Sequence, residues 1–96
     1  MELRVEEAAR RELREAASYY ESQRPGMRQE FLAEVDRAFG QMRRHPHAGT
    51  PIAGGLRRRV LRRFPYSVFY VIEGSVVTIY AVAHQSRRPG YWRVQE

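Results

Sequence analysis

The 96-residue chain has no cysteine, which predicts a single domain, 1–96, with a modest core, no disulfide framework and no thiolate metal site. No apolar run approaches the roughly 18 residues of a membrane span, and a Glu- and Arg-rich N-terminus is no secretory signal, so the chain reads as cytoplasmic, with no membrane partner. Its net charge of +6 is unevenly placed, because residues 1–45 balance nine Arg against eight Glu and one Asp, while residues 46–96 set eight Arg against Glu73 and Glu96.

A basic half-domain attracts phosphate backbones or acidic protein surfaces. Every basic residue is Arg. Its planar fork suits phosphate and carboxylate, although a complete absence of Lys points to genome composition more than to selection at each site.

Leu3-Arg4-Val5 alternates and reads as a short edge strand. From about Glu7 the period changes, and Ala9, Leu13, Ala16 and Tyr20 form one stripe of a helix. Glu2, Glu6 and Glu7 complement the start of its dipole. Arg24-Pro25-Gly26 ends it, since proline steers the residue before it out of helical geometry. Met27, Phe31, Val35, Ala38 and Met42 form a second, more apolar stripe, closed by Arg43, Arg44, His45 and Pro46. Two helices so closely joined make an antiparallel hairpin. The Gly- and Pro-rich segment from His45 to Gly55 reads as a loop.

From Leu56 onward three runs rich in Val, Ile, Tyr and Phe read as an antiparallel meander, with corners at Phe64-Pro65 and Glu73-Gly74. The fold class is therefore α+β: a short N-terminal strand, an antiparallel helix hairpin and a three-stranded antiparallel meander. A two-residue turn at Glu73-Gly74 pairs Ile72 with Ser75. It places Val68, Tyr70 and Ile72 with Val77, Ile79, Ala81 and Ala83 on the face assigned to the helices. Phe69, Val71, Val76, Thr78 and Tyr80 then share the other face, for which no helix remains, and apolar patches of that kind mark interaction sites.

Five arginines fall within seven positions, Arg57, Arg58, Arg59, Arg62 and Arg63. Alternation puts Arg58 and Arg62 on one face with Val60, and Arg57, Arg59 and Arg63 on the other around Leu61. Charges on an edge strand protect it from aggregation, but five exceed that need, so a contact stripe for phosphate or acidic protein is read as well. His84, Arg87, Arg88, Tyr91 and Trp92 close the chain. An imidazole, an arginine pair and a tyrosine can serve acid–base chemistry on a phosphodiester. Equally, a strand-end His often bonds a backbone carbonyl, and Tyr91-Trp92 can simply pack the tail. His45 and His47 lack acidic or Cys company for a metal, and no cofactor motif occurs.

Taken in order, Ala-Arg-Arg-Glu-Leu at 9–13, Tyr19-Tyr20, Pro25-Gly26, Phe31-Leu32, His45-Pro46, the Arg-rich run through Pro65-Tyr66, Phe69-Tyr70, and Ala-Val-Ala-His-Gln with Arg-Arg-Pro-Gly-Tyr-Trp at 81–92 resemble the RelE/ParE superfamily of type II toxin–antitoxin toxins, also called plasmid-stabilisation toxins. The resemblance implies the same architecture and one of two activities. RelE-like members are ribosome-dependent mRNA endoribonucleases; ParE-like members poison DNA gyrase without cleaving RNA. Both are neutralised by a cognate antitoxin whose C-terminal segment wraps the toxin.

Carried across, Arg58 and Arg62 match basic positions of the RelE-like strand, with His84, Arg88 and Tyr91 completing a nuclease set. Val60 replaces another basic position, and Ser67 stands where RelE-like enzymes have an arginine, so the resemblance favours the ParE-like branch. Gyrase as the target then places target or nucleic-acid contacts on Arg57, Arg59, Arg63, Arg87 and Trp92 of the basic sheet and tail, and antitoxin contacts on Phe69, Val71, Val76 and Tyr80 of the face left uncovered, with neither cofactor nor metal. The alternatives are the RelE-like nuclease, with ribosome and mRNA as partners, and a non-toxic relative that binds antitoxin or nucleic acid.

Overall fold

The computed structural model describes residues 1–86; Arg87, Arg88, Tyr91 and Trp92 lie outside the described residues. In chain order the elements are β1 (Glu2–Val5), α1 (Glu7–Gln23), α2 (Met27–Arg44), β2 (Thr50–Pro51), β3 (Leu56–Val60), β4 (Tyr66–Glu73) and β5 (Val76–His84), with single 3-10 turns at Pro46–Ala48 and Ala53–Gly55. The expected helix hairpin and meander are both present. The sheet order is β1-β5-β4-β3-β2. β1 pairs parallel to β5, with Glu2 opposite Val76 and Val5 opposite Ile79, and β2, read from sequence as part of a loop, pairs antiparallel with β3.

The hairpin follows from its stripes. α1 turns Ala9, Ala16 and Ala17 inward, and α2 turns Phe31, Val35, Ala38 and Met42 inward. They pack with Val68, Tyr70, Val77, Ile79 and Val82 of the sheet in the main core. Small alanines let α1 lie close to β5. The reversal between the helices needs glycine, since Gly26 has φ 93°. Its N–H and that of Arg28 donate to the Glu21 carboxylate at 3.2 and 3.0 Å. The end of α1 thus caps the start of α2, and these backbone bonds hold the Glu21 carboxyl below its ordinary pKa.

Two expectations from sequence are corrected. The β4–β5 turn lies one residue later than expected, because Glu73 pairs with Val76. This moves the register by two residues, which preserves faces near the turn. The ladder then breaks between Phe69 and Tyr70, so that Tyr70 pairs with Ile79 but Phe69 pairs with Ala81. Tyr80 is the extra residue of a bulge, and beyond a bulge the alternation inverts. Ala81 and Ala83 therefore leave the helix-facing side and Val82 joins it.

The second correction concerns the far face, expected to lie uncovered. Phe69 is only 3% exposed there and packs with Leu56, Ala81 and Ala83, joined by Ile52 and Val71 as partly buried neighbours. Thr78 is buried too, its Oγ1 donating to Glu73 Oε1 at 2.7 Å. Val71, Val76 and Tyr80 remain half-buried. This face is a second small core, not an open apolar patch.

Tyr70 ties the sheet to the loop after α2. Its hydroxyl donates to the Pro46 carbonyl at 2.7 Å and accepts the Gly49 N–H at 3.1 Å. A Cβ on Gly49 would lie 2.2 Å from that hydroxyl, so only glycine fits. Tyr70→Phe is expected to cost about 1–3 kcal/mol by stranding two backbone groups, and Gly49→Ala at least as much, both read by equilibrium urea unfolding. An unchanged midpoint for Tyr70→Phe would show that the loop is held by other means.

Candidate functional site

The arginine-rich strand sorts its charges by face. Arg57 pairs across to Tyr70 and Arg59 to Val68, so both point to the helix side, whereas Arg58 pairs with Phe69 and points away. β3 stops at Val60, and the chain turns a corner before β4 begins. Arg62 and Arg63 consequently sit in that corner and not on the strand, contrary to the alternation expected from sequence. The corner is held by Leu61 N–H to the Tyr66 carbonyl at 2.9 Å.

Three of the five arginines are committed within the chain. Arg57 donates to the carbonyls of His47 and Gly49 at 3.0 and 2.8 Å. Arg59 donates to the Gln41 side chain. Arg63 pairs with Glu30 at 2.8 Å and lies over the Phe64 ring. The Glu30 carboxyl is held below its ordinary pKa first by the Arg63 hydrogen bond and then by the Arg24 charge. Such ties fix the β3 edge and its corner to α2 and to the loop that follows it.

Arg58 and Arg62 are exposed, and neither guanidinium has a hydrogen bond or ion pair among the described residues. Between them lies Val60, 49% exposed. This pair flanking an apolar residue is the strand's accessible basic surface.

The corner itself rests on Glu34, 8% exposed. Its Oε2 accepts the Arg62 N–H at 2.8 Å and the Arg37 guanidinium at 2.7 Å. Burial works against this charge. The Arg62 N–H bond, the Arg37 hydrogen bond and the two arginine charges outweigh it, leaving the carboxyl below its ordinary value. Sequence reading passed over Glu34, although its place beside Phe31, Val35 and Ala38 on the buried stripe was a readable signal. It likewise missed Glu12, whose Oε1 accepts the Val82 N–H at 2.8 Å.

His84 lies at the end of β5 opposite Tyr66, the rings 5.4 Å apart and edge to face. Its Nδ1 takes the Ser86 N–H at 3.1 Å and sits 2.9 Å from the Ser86 hydroxyl. A backbone N–H can only donate, so Nδ1 is an acceptor and the neutral ring carries its proton on Nε2. In that arrangement no ring lone pair remains for a base. Moreover, His84 shares the helix-facing side with Tyr66, while Arg58 shares the opposite side with Phe69. The sheet stands between them. Of the five residues of the nuclease set, Arg88 and Tyr91 lie outside the described residues, and Arg58, Arg62 and His84 are not brought together around one point.

A groove of about 270 Å³ opens beside His84, between α1 and the end of β5. It is lined by Glu12, Glu15, Tyr19, Tyr66 and Val82 among others. Among the described residues no group of His, Cys, Asp and Glu could hold a metal ion, and no helix is long and apolar enough to cross a membrane.

A sequence profile of the family described as "ParE toxin of type II toxin-antitoxin system, parDE" matches residues 3–89. The chain belongs to this family. It is therefore a toxin of the type II toxin–antitoxin class, with a cognate antitoxin as the implied partner. Among curated proteins none matches it in sequence. Among solved structures it is similar to one titled "Chromosomal ParDE TA system from P. aeruginosa", at 19% identity and a TM-score of 0.79, covering 88% of this chain and 95% of that one. At that identity the likeness concerns the fold. For the ParE-family chain it supports the strand–hairpin–meander order derived above.

The division of arginines yields a stability test. Arg63→Ala and Arg57→Ala are expected to lower the thermal midpoint, Arg62→Ala to lower it less, through loss of one charge favouring the Glu34 carboxylate, and Arg58→Ala to leave it within the small range of unpartnered surface changes, about 0.5 kcal/mol. Glu34→Gln should destabilise at neutral pH. Because the folded-state Glu34 carboxyl is depressed, its contribution is present above the ordinary carboxylate range and is lost as pH falls through the folded value. The gap between wild type and Glu34→Gln in urea should accordingly shrink on acidification; a gap independent of pH would assign the loss to packing.

Proposed function

We propose that this ParE-family toxin arrests growth by binding DNA gyrase as a non-enzymatic poison, with Arg58, Val60 and Arg62 as the accessible contact. The observation that carries this reading is the sheet lying between Arg58 and His84, which favours binding over cleavage. The targets first assigned to Arg57, Arg59 and Arg63 pass to their outward neighbours, since those three are engaged internally. They act as positioning residues for the contact strand. Arg87 and Trp92 retain their expected role as target contacts.

The antitoxin contact falls on the half-buried part of the far face, Val71, Val76 and Tyr80. Phe69, expected there as well, supports those residues from within the second core. A charge at Phe69 would damage that core before it could report on an interface. A charge at Tyr80 is the cleaner probe.

Gyrase supercoiling with the purified toxin is the decisive assay. Inhibition is expected, weakened at least about ten-fold by Arg58→Glu, with the thermal midpoint unchanged. Unaffected supercoiling would end the gyrase reading. Primer extension on translated mRNA separates the alternative: new cleavage ends abolished by His84→Ala would establish the RelE-like nuclease. Absence of toxicity on induction without antitoxin would instead favour a non-toxic relative.

A further inference from the structure

β1 accompanies β5 only as far as Val5 opposite Ile79, and the last backbone bond of that seam is Glu6 N–H to the Ile79 carbonyl at 3.0 Å. Beyond it, among the described residues, no strand pairs with this edge of β5. Val82 directs its N–H to this side, where Glu12 of α1 accepts it. By strand alternation the Val82 carbonyl and the His84 N–H face the same way. Among the described residues they form a short length of unpaired edge, bordered by the groove between α1 and β5. Open edges accept extended chains by adding a strand.

The groove selects what such a chain carries. Its 270 Å³ lies below the roughly 300–1,000 Å³ of a drug-sized site, room for one long side chain and not for a helix. Glu15 borders it, exposed, and its carboxylate has no hydrogen bond or ion pair among the described residues. Tyr19, 56% exposed, and Tyr66 supply ring faces. Among the described residues no arginine lines it, in a chain whose net charge is +6. An unpaired carboxylate beside two aromatic rings matches a guanidinium or ammonium group.

We infer that an extended segment of the antitoxin adds to β5 at Val82–His84, continuing where β1 leaves off, and places one Arg or Lys side chain in the groove against Glu15, Tyr19 and Tyr66. This rests on the antitoxin reading above and gives it a second anchor, next to Tyr80 at the bulge. The pairing supplies affinity without regard to sequence. The cation supplies selectivity.

The probe is a short blocked peptide of alternating Thr and Val around a central Arg, titrated into the isotope-labelled full chain. Saturable amide shifts are expected at Ala83, His84, Glu15 and Tyr19. Replacing the Arg of the peptide by citrulline, or Glu15→Gln in the protein, should each weaken binding about ten-fold or more. Equal binding of the citrulline peptide, or shifts centred elsewhere, overturns the proposal. Glu15 is exposed and unpartnered, so an unchanged thermal midpoint is expected and excludes misfolding as the cause. With the antitoxin itself, Glu15→Arg should weaken the complex by a similar factor. A complex unaffected by Glu15→Arg removes the groove from the interface and leaves the antitoxin reading standing. Failure of the wild-type chain to bind its cognate antitoxin removes both.

Discussion

The Glu34 carboxylate is the constraint on which the basic surface depends. A charge at 8% exposure is tolerable only when its oxygens are satisfied by donors that carry or share positive charge. Arg37 and the Arg62 N–H meet that condition from a helix and from a corner distant in sequence. The corner is thereby fixed on α2, and the directions of the arginines follow. Arg63 is brought onto Glu30 and the Phe64 ring, while the side chain of Arg62 is left in solvent. One buried acid thus settles the two arginines of the corner, Arg63 tied into the fold and Arg62 left exposed.

Much of this was legible in the sequence because periodicity reports burial. The apolar steps of both helices, the Pro25-Gly26 break and the three β-rich runs each had one physical interpretation. The parallel seat of β1 was not legible, since Leu3-Arg4-Val5 carries no information about which strand it joins. Nor was the bulge. Apart from Thr78, Val76 to Ala83 is apolar or aromatic at both alternating positions, so an inserted residue at Tyr80 leaves no mark in the pattern, and Ala81 and Ala83 were assigned to the wrong side. The open far face was a consequence of that error, together with treating Leu56 and Ile52 as strand and loop rather than as the rim of a second core.

The arginine run shows a different limit. Composition established that the second half is basic, and family likeness suggested a target contact. Neither distinguishes Arg57 from Arg58. Only pairing does, because Arg57 stands opposite Tyr70 and Arg58 opposite Phe69. The same register sets Arg58 and His84 on opposite sides of one layer, so these two members of the nuclease set do not meet, while the partners of His84 in linear order, Arg87, Arg88 and Tyr91, lie outside the described residues. The family match concerns membership among the ParE toxins, and the structural likeness concerns the fold.

The seat of β1 has a bearing on when the toxin becomes competent. Residues 2–5 meet residues 76–79, so the seam joins segments from opposite ends of the described chain, and closing so long a loop carries an entropic cost that local contacts do not offset in advance. On the ribosome β1 can pair only after residues 76–79 have been synthesised. Until then both helices can form but the sheet cannot close, and the finished fold waits on the arrival of β5.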